Sequence, residues 1–203
     1  MIHIVDYGAG NLGSIQNMLR RIGGQSQIVS TEKELETASK IILPGVGHFD
    51  HGMSQLKNSG LISVLNQKVL EEKVPIMGIC LGAQMMCKWS EEGNCEGLGW
   101  FEAQVKKFQV DDFELRVPHM GWNFIEQKKE SKISFETDQE RRKFYFVHSY
   151  HIVADKPEEV LFTTNYGYEF VSALECDNKF AFQFHPEKSH KYGIQMFKNF
   201  VAL

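Results

Sequence analysis

The sequence has no apolar run approaching the roughly 18–20 residues that a membrane-spanning helix requires, so no transmembrane segment is expected. Cysteine is scarce: there are 4 in 203 residues, and Cys80, Cys87, Cys95 and Cys176 show no paired C-x-x-C spacing. That excludes a disulfide scaffold and a cysteine zinc site. Positive charge is not in excess, since 22 Lys and Arg against 26 Asp and Glu leave a net charge of −4. Such a surface offers no footprint for nucleic acid or anionic lipid. No tract rich in Pro, Gly and Ser, no low-complexity segment and no internal repeat divides the chain, so its length predicts one domain over 1–203. The start has neither the basic segment nor the apolar core of a secretion signal, and the expected address is cytoplasmic.

What is present falls into two halves. Through residue 88, short apolar runs at 2–5, 27–29, 41–43 and 75–78 alternate with helical patterns at 11–22, 32–38, 61–70 and 83–88. That alternation predicts a mostly parallel sheet flanked by helices, an α/β fold. From residue 98 strand patterns dominate, at 100–108, 144–147, 160–165, 170–175 and 179–184, with polar connections at 126–131 and 138–142. These add antiparallel strands. Ile194, Phe197 and Phe200 recur at helical spacing and predict a closing helix over 189–201.

The strongest chemical signal is the run from Val74 to Gln84, a buried-strand pattern leading into G-x-C-x-G and a helix start. It is the cysteine counterpart of a nucleophile elbow. Side chains at Gly78 or Gly82 would collide across so tight a turn. Cys80 then stands clear of the sheet with free N–H groups of the following helix aimed at its sulfur, a setting that favours thiolate. A cysteine at the end of an apolar strand is ordinarily core filler; the flanking glycines reverse that reading. Cys87, Cys95 and Cys176 lack such a setting and are read as core or surface thiols.

A thiolate nucleophile needs an imidazole partner, and of the 8 histidines His185 is the one that ends a strand with a carboxylate two residues on. The string is His185-Pro186-Glu187. Pro186 holds the preceding residue extended, so Glu187 can reach the far ring nitrogen and fix its tautomer, giving a Cys-His-Glu triad. The strand at 41–43 runs into the turn Pro44-Gly45-Val46-Gly47, where the Val46 N–H could meet developing negative charge together with the Leu81 N–H. In open parallel sheets such groups gather at the carboxyl ends of the strands.

The motifs PGVGHF at 44–49, GICLGAQ at 78–84, SEEG at 90–93, PHMGWN at 118–123, FYFVHSY at 144–150 and FHPEKS at 184–189 resemble the class I glutamine amidotransferases, and among them the HisH family of glutaminase subunits. The resemblance spans nearly the whole chain. It implies a flavodoxin-like amidotransferase fold and hydrolysis of glutamine to glutamate and ammonia through a thioester on Cys80. It further implies substrate contacts at Gly47, Gln84, Glu92, Ser149 and Tyr150. A HisF-type TIM-barrel synthase is the implied heterodimer partner, met at Asn11, Ser14, Met120, Trp122, Tyr145 and Lys188. No cofactor and no metal is expected.

Other readings stay open at this point. Gly8-Ala-Gly10-Asn-Leu-Gly13 is a literal G-x-G-x-x-G after the first strand, with Glu32 about 20 residues on, as NAD-binding folds require. An α/β-hydrolase elbow is disfavoured because Glu187 follows His185 instead of preceding it. His48 and His51 offer too few ligands for a metal. Ala83, His151 and His190 stand where the resembled family usually has methionine, an aromatic residue and glutamine. These departures leave room for a HisH-like paralog that supplies ammonia for amidation of a surface-polysaccharide sugar.

Overall fold

The computed structural model describes residues 1–110, 115–135 and 141–203. Strand β1 (Ile2–Val5) is buried along its whole length and lies parallel between β2 (Ser26–Val29) and β3 (Lys40–Leu43). Next to β3 come β4 (Ile76–Ile79) and then the C-terminal strand Lys179–Phe182, both again parallel. These strands are apolar at nearly every position because both sheet faces are covered. Ile2, Ile4, Ile42, Met77 and Ile79 pack on one face, whereas Val5, Ile41, Leu43 and Ile76 pack on the other.

Helix α1 (Leu12–Arg21) is capped by the Asn11 side chain, which accepts from the Ser14 N–H, and it places Ile15 and Leu19 in the first of these cores. Helix α2 (Glu32–Leu35) starts at a Thr31–Glu34 capping box and is shorter than the expected 32–38. Helix α3 (Phe49–Asn58) lies in a stretch where the sequence reading placed no element. The pattern at 61–70 folds as α4 (Ile62–Asn66) continued by a π-helical turn, Gln67–Glu71. Helix α5 (Leu81–Met85) also departs from expectation: it begins at 81 and ends before 88, and Cys87–Ser90 forms strand β5. The cause is tertiary pairing. Trp100 and Phe101 N–H groups both bond the Met86 carbonyl, and β5 then runs parallel to the strand that begins at Phe101.

The second half supplies β6 (Cys95–Glu96), β7 (Phe101–Lys107), β8 (His119–Gln127), β9 (Arg142–His148), β10 (Tyr150–Ala154), β11 (Val160–Tyr166), β12 (Tyr168–Cys176) and β13 (Lys179–Phe182). The β8 strand was not anticipated, and it occupies the first two positions of the polar connection expected at 126–131. Of the connection expected at 138–142, residues 138–140 lie outside the described residues and Arg142 opens β9. The sheet continues antiparallel from β13 through β12 and β10 to β7, so the fold is α/β with a parallel centre and antiparallel additions.

A branch runs from β12 through β11 and β8 to β9, and β9 returns to the start of the loop after β13 through a bridge between Tyr145 and His185. The arc encloses a cluster of buried aromatics, with Phe144 and Phe184 ring centroids 4.1 Å apart. Helix α6 (His190–Ala202) closes the same core with Met196, Phe197 and Phe200. No helix among the described residues is long and apolar enough to cross a membrane.

Phe144 is fully buried where α6, β9 and the segment carrying His185 meet. Replacing Phe144 with alanine is expected to lower the unfolding free energy by roughly 3–5 kcal/mol in urea titrations. A loss below about 1 kcal/mol would show that the arc does not depend on this packing.

Candidate active site

The turn between β4 and α5 holds Cys80 at φ 53° and ψ −111°, left-handed backbone that a residue with a Cβ rarely adopts. Its N–H bonds the Phe182 carbonyl at 2.7 Å, and its own carbonyl accepts from Gln84 N at 3.1 Å. Both flanking glycines are sterically required. A Cβ on Gly82 would run into the Leu43 carbonyl of β3, and one on Gly78 would meet Met86 and lie 2.9 Å from the Ala83 Cα. The elbow is thus pressed against its neighbours on both sides.

His185 leaves β13 and crosses to the opposite side of the arc. Its N–H bonds the Tyr145 carbonyl at 2.9 Å, and the Ser189 hydroxyl donates to its carbonyl at 2.6 Å while accepting from the Tyr145 N–H at 3.1 Å. Its Nδ1 is 2.7 Å from Oε1 of Glu187, with both side chains 2% exposed. The expected His–Glu pairing is present, but its backbone differs from expectation: Pro186–Lys188 turns as a 3-10 helix instead of running extended. The Nε2 of His185 is buried with no hydrogen-bond partner among the described residues, which leaves it available to a group in the cavity it lines with Cys80. Burial pulls the ring pKa down, but charge on Cys80 and the Glu187 bond outweigh it and raise it to about 10.

That cavity has a volume of about 310 Å³, at the small end of the range for small-molecule sites, roughly 300–1,000 Å³. It brings together Val46, Gly47, Cys80, Leu81, Gln84, Glu92, Ser149, Tyr150 and His185, all of them expected on sequence grounds, and adds Pro118, Val147 and His148. Leu81 opens α5, where the first N–H groups have no acceptor within their own helix. Gln84 spends its amide N–H groups on the Tyr150 carbonyl and on Gln183 Oε1, each at 3.0 Å, so its own oxygen is what remains for a ligand. Glu92 Oε2 accepts from the Phe49 N–H at 2.9 Å and so ties the end of the 44–48 loop to the 90–93 turn.

Several supporting residues were missed in the sequence. Tyr7 is buried and donates to the Pro44 carbonyl at 2.7 Å, holding the 44–47 loop from below. Burial, and secondarily charge on Cys80, push its phenol well above the ordinary tyrosine range. Gln183 and Ser189 are fully buried braces, His148 is buried at the cavity wall and His119 is buried beside it. Tyr7, directly after a buried strand end, could have been flagged; the others needed the strand pairing.

Of the residues expected to meet a partner, Met120 is 61% and Trp122 is 44% exposed, both on β8. The Trp122 ring stacks on His190 at 5.1 Å and lies 6.1 Å from Tyr145, over which Lys188 also sits. Asn11 is exposed and Ser14 half-buried at the start of α1, which packs against the Pro186–Lys188 turn. The G-x-G-x-x-G reading fails on its third glycine. Gly13 has open space where its Cβ would stand, so the close helix–strand approach that the NAD motif needs is absent.

A family model described as "Glutamine amidotransferase class-I" matches residues 3–203. The chain is 48% identical to an imidazole glycerol phosphate synthase subunit HisH 2 of Pseudomonas aeruginosa, covering 100% of both chains. It is 46% identical to a HisH 2 of Methanococcus maripaludis, covering 99% of this chain and 98% of the other. Among solved structures, PurLQS from Thermotoga maritima superposes with a TM-score of 0.74 at 17% identity, over 99% of this chain and 97% of that one; at that identity the likeness is one of fold.

The two kinds of histidine in this region carry opposite pH signatures. His185 has a folded pKa of about 10, above its unfolded value, so the stability it contributes is complete below about pH 6.5 and is lost as the pH rises toward that value. His119 is pushed down to about 4 by burial, so its contribution is present above about pH 6.5 and is lost as the pH falls. In urea titrations, the stability gap between wild type and His185→Gln is expected to narrow on the alkaline side. The gap for His119→Phe is expected to narrow on the acid side. The reverse pattern would show that the charge states assigned to these rings are wrong.

Proposed function

The chain belongs to the class I glutamine amidotransferases, and on that premise we propose that it is the glutaminase subunit of an imidazole glycerol phosphate synthase, handing ammonia to a HisF-type synthase subunit. One observation carries the chemistry: a cysteine held at an elbow shares a small cavity with an imidazole whose far side is bonded to a buried carboxylate. The whole of 1–203 acts as one amidotransferase domain, working in the cytoplasm as half of a heterodimer.

His185 takes the Cys80 thiol proton, and the sulfur attacks the carboxamide carbon of glutamine, forming an S–C bond as the carbonyl π pair moves onto oxygen. The Val46 and Leu81 N–H groups receive that oxyanion. His185, oriented by Glu187, gives a proton to the amide nitrogen as the C–N bond breaks, and ammonia leaves a glutamyl thioester. Water then attacks the thioester with His185 as base, releasing glutamate and restoring the thiol. Gly47, Gln84, Glu92, Ser149 and Tyr150 hold the amino-acid end of the substrate.

Ammonia set free in water at neutral pH is protonated and loses its nucleophilicity, so the exit needs a cover. The exposed apolar side chains Val46, Val117, Met120 and Trp122 provide a surface for one. Asn11, Ser14, Tyr145 and Lys188 complete the contact. The partner's ligand then adjusts the oxyanion loop, and the chain alone turns glutamine over weakly.

A second acceptor rests on the resemblance alone: Ala83, His151 and His190 stand where the resembled family usually has methionine, an aromatic residue and glutamine. A HisH-like subunit serving surface-polysaccharide sugar amidation uses the same glutamine chemistry with a different ammonia acceptor.

Cys80→Ala is expected to abolish glutamate release, a fall of at least about a thousandfold, as expected when a residue of a cooperating triad is lost. An unchanged glutamate yield would sink the mechanism. Adding a HisF-type subunit with its ligand is expected to stimulate the wild-type chain. Equal turnover with and without that subunit would remove the argument for a partner-adjusted loop.

A further inference from the structure

His148, Ser149 and Tyr150 line the cavity that holds Cys80 and His185, and the polar groups joined to them form a chain with one direction. The Tyr150 carbonyl is 2.7 Å from His148 Nδ1, and a carbonyl can only accept, so that nitrogen carries the proton. Neutral His148 then offers a lone pair at Nε2, which lies 3.0 Å from His119 Nδ1. With its proton on Nδ1, His119 in turn accepts at Nε2 from the Asn123 amide at 3.2 Å, and the same amide nitrogen also donates to the Asn165 carbonyl at 2.8 Å. One charge-neutral arrangement satisfies every atom along this path.

Burial enforces that neutrality. His119 is 2% and His148 6% exposed, and burial lowers the pKa of both. The pair faces directly across β8 and β9, with the His119 ring stacked 4.8 Å from Phe146 and 4.0 Å from Tyr166. The Tyr150 carbonyl at the end of the chain is a junction, since it also accepts from Gln84.

We propose that His119 and His148 are positioning residues for glutamine binding, their one-way hydrogen-bond chain fixing the Tyr150 carbonyl and through it Gln84 and the Ser149–Tyr150 wall. The role rests on the reading of this cavity as a glutamine site. Neither ring is a member of the triad, and the hydrogen-bond chain ends at Tyr150 and Gln84 instead of at Cys80, His185 or Glu187, so the effect falls on substrate affinity and not on the chemical step.

The test compares wild type, His119→Phe and His119→Asn in a glutamate-release assay with a HisF-type subunit present. Phenylalanine keeps the stacking and removes the donor, whereas asparagine returns an N–H near the Nδ1 position. His119→Phe is expected to raise the KM for glutamine about tenfold, as for one lost buried hydrogen bond, with kcat within about twofold. His119→Asn is expected to recover most of that loss. An unchanged KM in His119→Phe, a fall in kcat alone, or no recovery in His119→Asn overturns the proposal. Nitrogen-15 NMR of the wild-type chain tests it without a variant: both rings are expected as neutral Nδ1–H tautomers at pH 7, and a protonated ring or an Nε2–H tautomer at either position overturns it. A wild-type chain that releases no glutamate overturns the glutaminase reading and the positioning role with it, an outcome distinct from active wild type with an indifferent variant.

Discussion

Cys80 sits in left-handed backbone, φ 53°, which costs a residue bearing a Cβ roughly 1–3 kcal/mol and persists only where its surroundings over-determine it. Here they do. The cysteine's N–H is pinned to Phe182 on one side, and Gly82 is seated against the Leu43 carbonyl on the other. Because β3 and β13 are the two parallel neighbours of β4, the same contacts that hold Cys80 also fix where the 44–47 loop and the segment carrying His185 leave the sheet. The parallel centre of the fold and the convergence of the site are therefore one constraint viewed at two scales.

Those parts of the site were legible in the sequence because each is a local pattern. The elbow announces itself by small residues on either side of Cys80, and the His185–Glu187 bond spans two positions. The parallel strands were legible for a similar reason, since burial on both faces leaves uninterrupted apolar runs. What escaped was set by distant partners. The 83–88 pattern looked helical, yet Cys87–Ser90 became a strand because β7 was there to pair with it. The β8 strand alternates exposed Met120 and Trp122 with inward His119, a pattern that reads as polar until its partners β9 and β11 are known. Gln183 and Ser189 escaped because their partners, Gln84 and Tyr145, lie 99 and 44 residues away.

Burial penalises the charged form of every imidazole in this site, yet the outcomes are opposite, and the difference lies in what each ring can reach. Desolvation disfavours the charged form of every histidine in the interior. At His185 that penalty is overcome first by charge on the Cys80 sulfur and then by a carboxylate at 2.7 Å, which favour the protonated ring. At His119 and His148 there is no carboxylate among the hydrogen-bonded neighbours; the partners are a carbonyl, an amide and each other. Two kinds of imidazole thus stand within one aromatic arc, one whose partners favour its protonated form and the other whose partners favour the neutral form.

Ala83, His151 and His190, set apart by the sequence resemblance, lie in different surroundings. Ala83 is fully buried beside Gly78, and His151 is buried with its Nε2 2.9 Å from the Tyr168 hydroxyl; neither lines the cavity that holds Cys80. His190 is exposed and lies parallel to Trp122 within 3°, at the edge of the surface where a synthase subunit is proposed to dock. Residues that line the cavity would govern which amide is cleaved, and residues on that surface would govern where the ammonia goes. None of the three lines the cavity and one lies on that surface, so they bear on the proposed partner contact more than on the cavity that holds Cys80.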